Sequence, residues 1–226
     1  MLGLGNNLAR GGVLSGFENT YSLDFDGIGD YIRFTEQTYS GAFTISLWVK
    51  GDFTTNYKEL TGSSNSSVIR TSDVAGRAQI RVAGSTAGTI LGISDDTWTH
   101  LVWVRNSSNV FTVYKNASSS GGSTVAGDFK IRDLGGDGDV DYWTGQLDEV
   151  AIWDAELDAD AITAIYNSGT PIALDADDGN YDNSGDLQGW WRMEEGSGST
   201  VADSSGNDLT ATLNGDPTFS ADVPPN

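Results

Sequence analysis

The chain has 226 residues and carries 12 lysines and arginines against 32 aspartates and glutamates, a formal net charge of -20. That excess repels nucleic acid and anionic membrane, so neither is expected as a partner. With no cysteine, disulfide and thiolate chemistry are excluded, while 38% hydrophobic residues, including 7 tryptophans, suffice to fill a core in what reads as one domain.

In chain order, "MLGLGNNLARGG" has neither the cationic start nor the apolar run of a secretory signal, and residues 1–20 read as a lead or arm. "SLDF" and "YIRF" are short strand candidates. "FTISLWVK" alternates Phe43, Ile45, Leu47 and Val49 against Thr44, Ser46, Trp48 and Lys50, the period of a strand. "SVIRT" and "AQIRV" follow, then "WTHLVWVR", which is apolar on both faces, as a central covered strand requires. "VFTVYKNAS", "FKIRDL", "GWWRM" and "LTATL" complete the set. Many short strands between Gly- and Ser-rich turns predict an all-β protein, a two-sheet antiparallel β-sandwich or jelly roll. One segment differs: Ile162, Ile165 and Tyr166 have helical spacing. A single short helix is expected over 160–167, with Asp158 as its N-cap and Gly169 at its C′ position. "DADDGNYDNSGD" reads as a solvated surface connection, and residues 220–226 as a peripheral tail.

The stretch "TGQLDEVAIWDAELDADAITAIYNSG" concentrates acids and raises three readings: active site, metal site or scaffold. Retaining glycoside hydrolysis needs two carboxyls about 5 Å apart. Asp148 and Glu149 are adjacent, and neighbours on a regular strand face opposite sides, so that pair is not expected. Upstream, "DLGGDGDVDYW" sets Asp137, Asp139 and Asp141 at alternate positions in a Gly-rich loop. Calcium takes about six to eight oxygen ligands, and such a loop supplies them; Asp148, and Asp24 or Asp26, could approach from neighbouring strands. A plain solvated acidic loop is the alternative. Of the tryptophans, Trp143, in the loop beside these acids, is the one expected to be exposed; an exposed Trp143 or Tyr142 could stack on a sugar, with plain packing as the alternative. His100 reads as a core or sheet-face histidine with one hydrogen bond, and no Ser or Cys is placed as a nucleophile partner.

The ordered series "SLDFDGIGDYIRF", "FTISLWVK", "WTHLVWVR", "VYKNA" and "GQLDEVAIWDAELDADAITAIYNSG" resembles the laminin-G-like, concanavalin A-like jelly rolls, in the branch similar to pentraxins. The resemblance runs over 21–219. It implies a jelly roll, and it implies calcium ligands in the loop before the strand of Asp148. It also bears on catalysis. Glucanases of this fold carry an E-x-D-x-x-E strand, whereas here Gln146 and Ala151 stand at the two outer glutamate positions. "GWWRMEEGSGSTVADSSGNDLTATLNG" resembles an opening segment of such domains, yet it lies near the end of this sequence. A permuted sandwich is therefore expected, with 187–219 packing near the strand of Leu23 and Phe25. This arrangement is similar to structural proteins of marine bacteriophages.

The expected function is accordingly a non-enzymatic virion protein (capsid decoration, fibre or tail-associated). It would sit among other virion proteins, as a homo-oligomer, and could bind host-surface glycans. The alternative is an extracellular or cell-surface, calcium-dependent carbohydrate-binding module. A glycoside hydrolase is disfavoured.

Overall fold

The computed structural model describes residues 17–138 and 141–225. Its strands are β1 (Ser22–Asp26), β2 (Tyr31–Tyr39), β3 (Phe43–Gly51), β4 (Glu59–Ser64), β5 (Ser67–Thr71), β6 (Arg77–Val82), β7 (Ser85–Leu91) and β8 (Thr99–Arg105). They continue as β9 (Val110–Lys115), β10 (Ser118–Thr124), β11 (Phe129–Leu134) and β12 (Thr144–Trp153), then helix α1 (Ala159–Tyr166). Four short strands follow: β13 (Leu187–Trp191), β14 (Thr200–Val201), β15 (Ala211–Asn214) and β16 (Thr218–Ser220). They form two antiparallel eight-stranded sheets. The first runs β10-β9-β8-β3-β12-β1-β16, with β13 also paired to β12, and the second runs β14-β15-β2-β11-β4-β5-β6-β7.

The alternation of β3 places Phe43, Ile45, Leu47 and Val49 in the core between the sheets, each fully buried. Its other face is buried as well, at Thr44, Ser46 and Trp48. Helix α1 and the 170–186 segment cover the outer face of the first sheet, where Trp153, Leu157, Ile162, Ile165, Leu174 and Tyr181 make a second apolar cluster. Polar residues on β3 thus lie under a third layer, which alternation alone does not reveal.

Asp158 caps α1 as expected, accepting the Ala161 N–H at 2.8 Å. The left-handed C-terminal turn falls to Asn167 (φ 43) and Ser168 (φ 59), ahead of Gly169, so the chain reverses two residues earlier than the glycine suggested. The acidic connection is not wholly solvated. Tyr181 is fully buried, accepts from Trp153 Nε1 at 3.0 Å and donates to the Leu174 carbonyl at 2.8 Å.

The C-terminal segment completes both sheets: β16 pairs with β1 in the register Leu23↔Phe219, β15 pairs with β2, and β13 pairs with β12. The tail is also tied down, contrary to expectation. Asp222 accepts from Trp98 Nε1 at 3.0 Å, pairs with Lys50, and its carbonyl accepts from Ser22 Oγ at 2.7 Å.

Candidate functional site

β12 is long enough to serve two neighbours along one edge. Its first half, Thr144 to Leu147, pairs with β1, and its second half, from Val150 to Trp153, pairs with β13. At the seam lies a β-bulge, with Glu149 in the left-handed region at φ 47. A bulge inserts one residue and shifts the side-chain phase. Leu147 and Val150 therefore both face the core, and Asp148 and Glu149 are both excluded from it on the covered outer side. This corrects the expectation that adjacent acids must diverge.

Both acids are buried, with Asp148 0% and Glu149 3% exposed. Asp148 accepts from Asn19 Nδ2 at 2.9 Å and from the Glu149 N–H at 2.8 Å. Glu149 accepts from Trp190 Nε1 at 2.6 Å and from Arg192 Nε at 3.2 Å. Burial, then the charge of Glu149, holds Asp148 well above the carboxylate range, against the pull of Asn19. Burial likewise pushes Glu149 up to about 8, although Arg192 and Trp190 pull it down.

Beyond this pair opens a groove of about 1140 Å³, walled by Phe17, Glu18 and Thr20 on one side, by 170–178 on the other, and by Trp190, Arg192 and Glu194. Phe17 stacks on Trp190 with ring centroids 6.3 Å apart. The Arg192 guanidinium lies over both rings, at 4.4 and 5.2 Å, and donates to the Glu18 carbonyl at 2.5 Å. Glu194 accepts the Thr20 and Tyr21 N–H groups at 2.8 and 3.1 Å. The arrangement offers an amphipathic wall with donors and acceptors close together.

The acidic loop connects the two sheets at another end. Arg33 makes a bidentate pair with Asp133, at 2.6 and 3.0 Å, and reaches the Asp137 carbonyl at 2.9 Å, while Arg132 also binds Asp133, at 2.9 Å. The Asp141 carbonyl accepts the Glu59 N–H at 2.7 Å, and Tyr142 stacks on Tyr31 at 6.4 Å. Glu59, missed in the sequence, is 1% exposed with Oε2 unpartnered. Burial and then the charges of Asp137 and Asp141 push it up to about 8.

Trp143 is fully buried edge-on against Phe53 at 5.1 Å, so it presents no face to a sugar; its indole fills the end of the core beside Gly51. Asp148 is spent at the seam and is not part of the loop's donor set. Asp24 and Asp26 are exposed on β1, and Asp26 caps its own turn through the Ile28 N–H at 2.6 Å. Asp139 lies outside the described residues, among which no three acidic, histidine or cysteine side chains are arranged to hold a metal ion.

His100 is the buried sheet histidine with one ring hydrogen bond that was expected: its Nε2 lies 2.7 Å from Ser46 Oγ. Its Nδ1 has no partner, burial pushes the ring down to about 3, and Trp48 and Tyr166 stack on it. Without an orienting carboxylate and beneath two rings, this pair is not a nucleophilic dyad.

Residues 26–163 match the family described as the concanavalin A-like lectin/glucanases superfamily. A candidate carbohydrate binding protein from Bacteroides ovatus superposes with a TM-score of 0.69 at 14% identity, covering 92% of this chain. This chain spans only 62% of that protein. Domain 4 of AbnA, a GH43 extracellular arabinanase from Geobacillus stearothermophilus solved with arabinotriose, gives 0.54 at 22% identity, over 64% of this chain and 76% of that one. The heptameric SAP-like pentraxin of Limulus polyphemus gives 0.51 at 18% identity, over 66% and 82%. No curated protein matches the sequence. At these identities the structures speak to fold alone; the family match, which spans more than half of the residues, is what shows that this chain belongs to the concanavalin A-like lectin/glucanase superfamily.

Proposed function

We propose that this chain is a non-enzymatic carbohydrate-binding module whose binding face is the groove beside Phe17, Trp190 and Arg192. The carrying observation is the groove itself. Its volume of about 1140 Å³ suits a short oligosaccharide, and it joins a partly exposed aromatic ring to a guanidinium and to the polar groups of Glu18, Thr20, Asn167 and Glu194. The likeness to carbohydrate-binding proteins of the same fold supports this reading. Asp148 and Glu149, though on one side of the strand, are buried under hydrogen-bonded neighbours, which argues against a reacting pair. A glycan array is the test. Phe17→Ala should lose binding and Tyr142→Ala should keep it. The opposite result would move the site to the acidic loop. Release of reducing sugar that Glu149→Gln abolishes would make the protein an enzyme.

Calcium remains part of the proposal, at the loop of Asp137, Asp139 and Asp141. Asp139→Asn with Asp141→Asn should remove a calcium-specific rise in Tm. Equal shifts from calcium and sodium at matched ionic strength would reduce the loop to surface charge.

The second reading, favoured by the permuted sequence and its resemblance to phage structural proteins, is that the module sits on a virion. Host-surface glycans would be its ligand, and other virion proteins and further copies of itself its neighbours. Mass spectrometry of purified particles tests it. Absence from particles would return the protein to an extracellular or cell-surface role.

A further inference from the structure

The wall of the groove formed by 17–21 rests on the seam. Asn19 is tied to Asp148, and the Glu18 carbonyl to the guanidinium that also serves Glu149. Thr20 and Tyr21 are held by Glu194. Two buried carboxylates sit side by side on a bulge; Arg192 pairs with Glu149, while Asp148 accepts from the Asn19 amide. We propose that Asp148 and Glu149 are positioning residues for the groove, a latch that holds its 17–21 wall and releases it when both carboxylates become charged.

The other groups facing the pair do not supply a second cation. From the N-terminal wall come Glu18 and Asn19, and from beyond β13 come Arg192 and Glu194. Across a cavity of about 10 Å³ lie Ser46, from β3, and His100, from β8. The imidazole is held neutral by burial. In the seam the pair retains a proton, because burial raises both carboxyls and the charge of Glu149 raises Asp148 further. A folded-state pKa above the unfolded value means that the stabilisation is present at low pH and fades as pH rises through about 8, the value for Glu149. The relief available to a doubly charged pair is water. The 17–21 segment lies outside any strand of this stretch, so moving it admits water without breaking a sheet ladder.

As a device of the binding face this rests on the groove reading above, but its test needs no ligand. Hydrogen exchange of the Thr20 and Tyr21 amides in the full chain is followed from about pH 6 to about pH 9.5 and corrected for the intrinsic rate. Protection at these amides should fall about tenfold or more across that range while β8 stays protected. Glu149→Gln keeps an acceptor for Trp190 but cannot ionise, and should abolish the fall. Asp148→Asn should do the same and guards against a single badly folded variant. A fall that persists in both variants, or protection that does not depend on pH in the native chain, overturns the latch. A latch that opens on schedule in a protein that binds no glycan would instead remove only the carbohydrate reading.

Discussion

Two buried acidic centres in this molecule have opposite stoichiometry. At the loop end one acid, Asp133, fully buried, faces two arginines, Arg33 and Arg132, whose side chains are 39% and 38% exposed. At the seam two acids lie side by side, Glu149 paired with the guanidinium of Arg192 and Asp148 with the neutral amide of Asn19. In the first the surplus charge is positive and reaches water, where hydration costs little. In the second both acids are buried, and burial favours their protonated form. The lesson is that how a buried carboxylate behaves depends on its burial together with the count of countercharges around it and on which partner touches solvent.

The largest expected effect comes from breaking the seam. Arg192→Ala removes the cation paired with buried Glu149 and should cost about 3 kcal/mol or more by denaturant midpoint near pH 9, and less near pH 6, below the value of about 8 at which Glu149 titrates. Equal losses at both pH values would show that Arg192 acts through packing on Phe17 and Trp190. Asp133→Asn is the matching change at the loop end. It leaves two half-exposed arginines that water can serve, and about 1 to 2 kcal/mol is expected. A loss as large as that of Arg192→Ala would erase the contrast.

The pH dependence sharpens the comparison. Glu149 titrates at about 8 in the fold against an ordinary carboxylate value when unfolded, so its part of the stability declines as pH rises from about 4.5 to 8. Glu59, also pushed up to about 8, contributes a fall of the same sign. Urea unfolding across this range should therefore show a decline that Glu149→Gln makes shallower and that Glu149→Gln with Glu59→Gln makes shallower still. A wild-type curve without the decline would mean that water reaches both acids.

Asp158, which acts as a cap and belongs to neither centre, calibrates the scale. Asp158→Ala should cost about 1 kcal/mol. The smallest effect is expected from Arg33→Ala, below about 1 kcal/mol, because Arg132 remains on Asp133 and the lost partner was largely in water. A larger cost would mean that the Asp137 carbonyl, the other acceptor of Arg33, holds the loop.

Much of this was legible in the residues. The alternation of β3 and the double-sided β8 gave the right strands, and the ordered motifs gave the right fold family. The bulge was legible too, though it was missed. From Leu147 the apolar positions run to Val150 and Ile152, a step of three and then of two, which a regular strand cannot place on one face. The groove had only a weak sign, the "GWWRMEE" run, because Phe17 and Arg192 stand 175 positions apart and meet only through the pairing of β12 with both β1 and β13. Trp143 was misjudged because loop position was taken for exposure; the loop folds its indole inward against Phe53.

By itself the sequence determined the all-β class, the capped helix and the closing role of 187–219. These follow from local periodicity and capping chemistry, which act over a few residues, and from recognisable order along the chain. Only the tertiary structure decided what the acids do. Whether a carboxylate is solvated, paired with arginine or pressed against another acid depends on which distant segments close over it. Here that is the layer of α1 and 170–186 over the first sheet, and the meeting of 17–21 with β13 at one bulge, because solvent access and countercharge are properties of the packed molecule rather than of the chain.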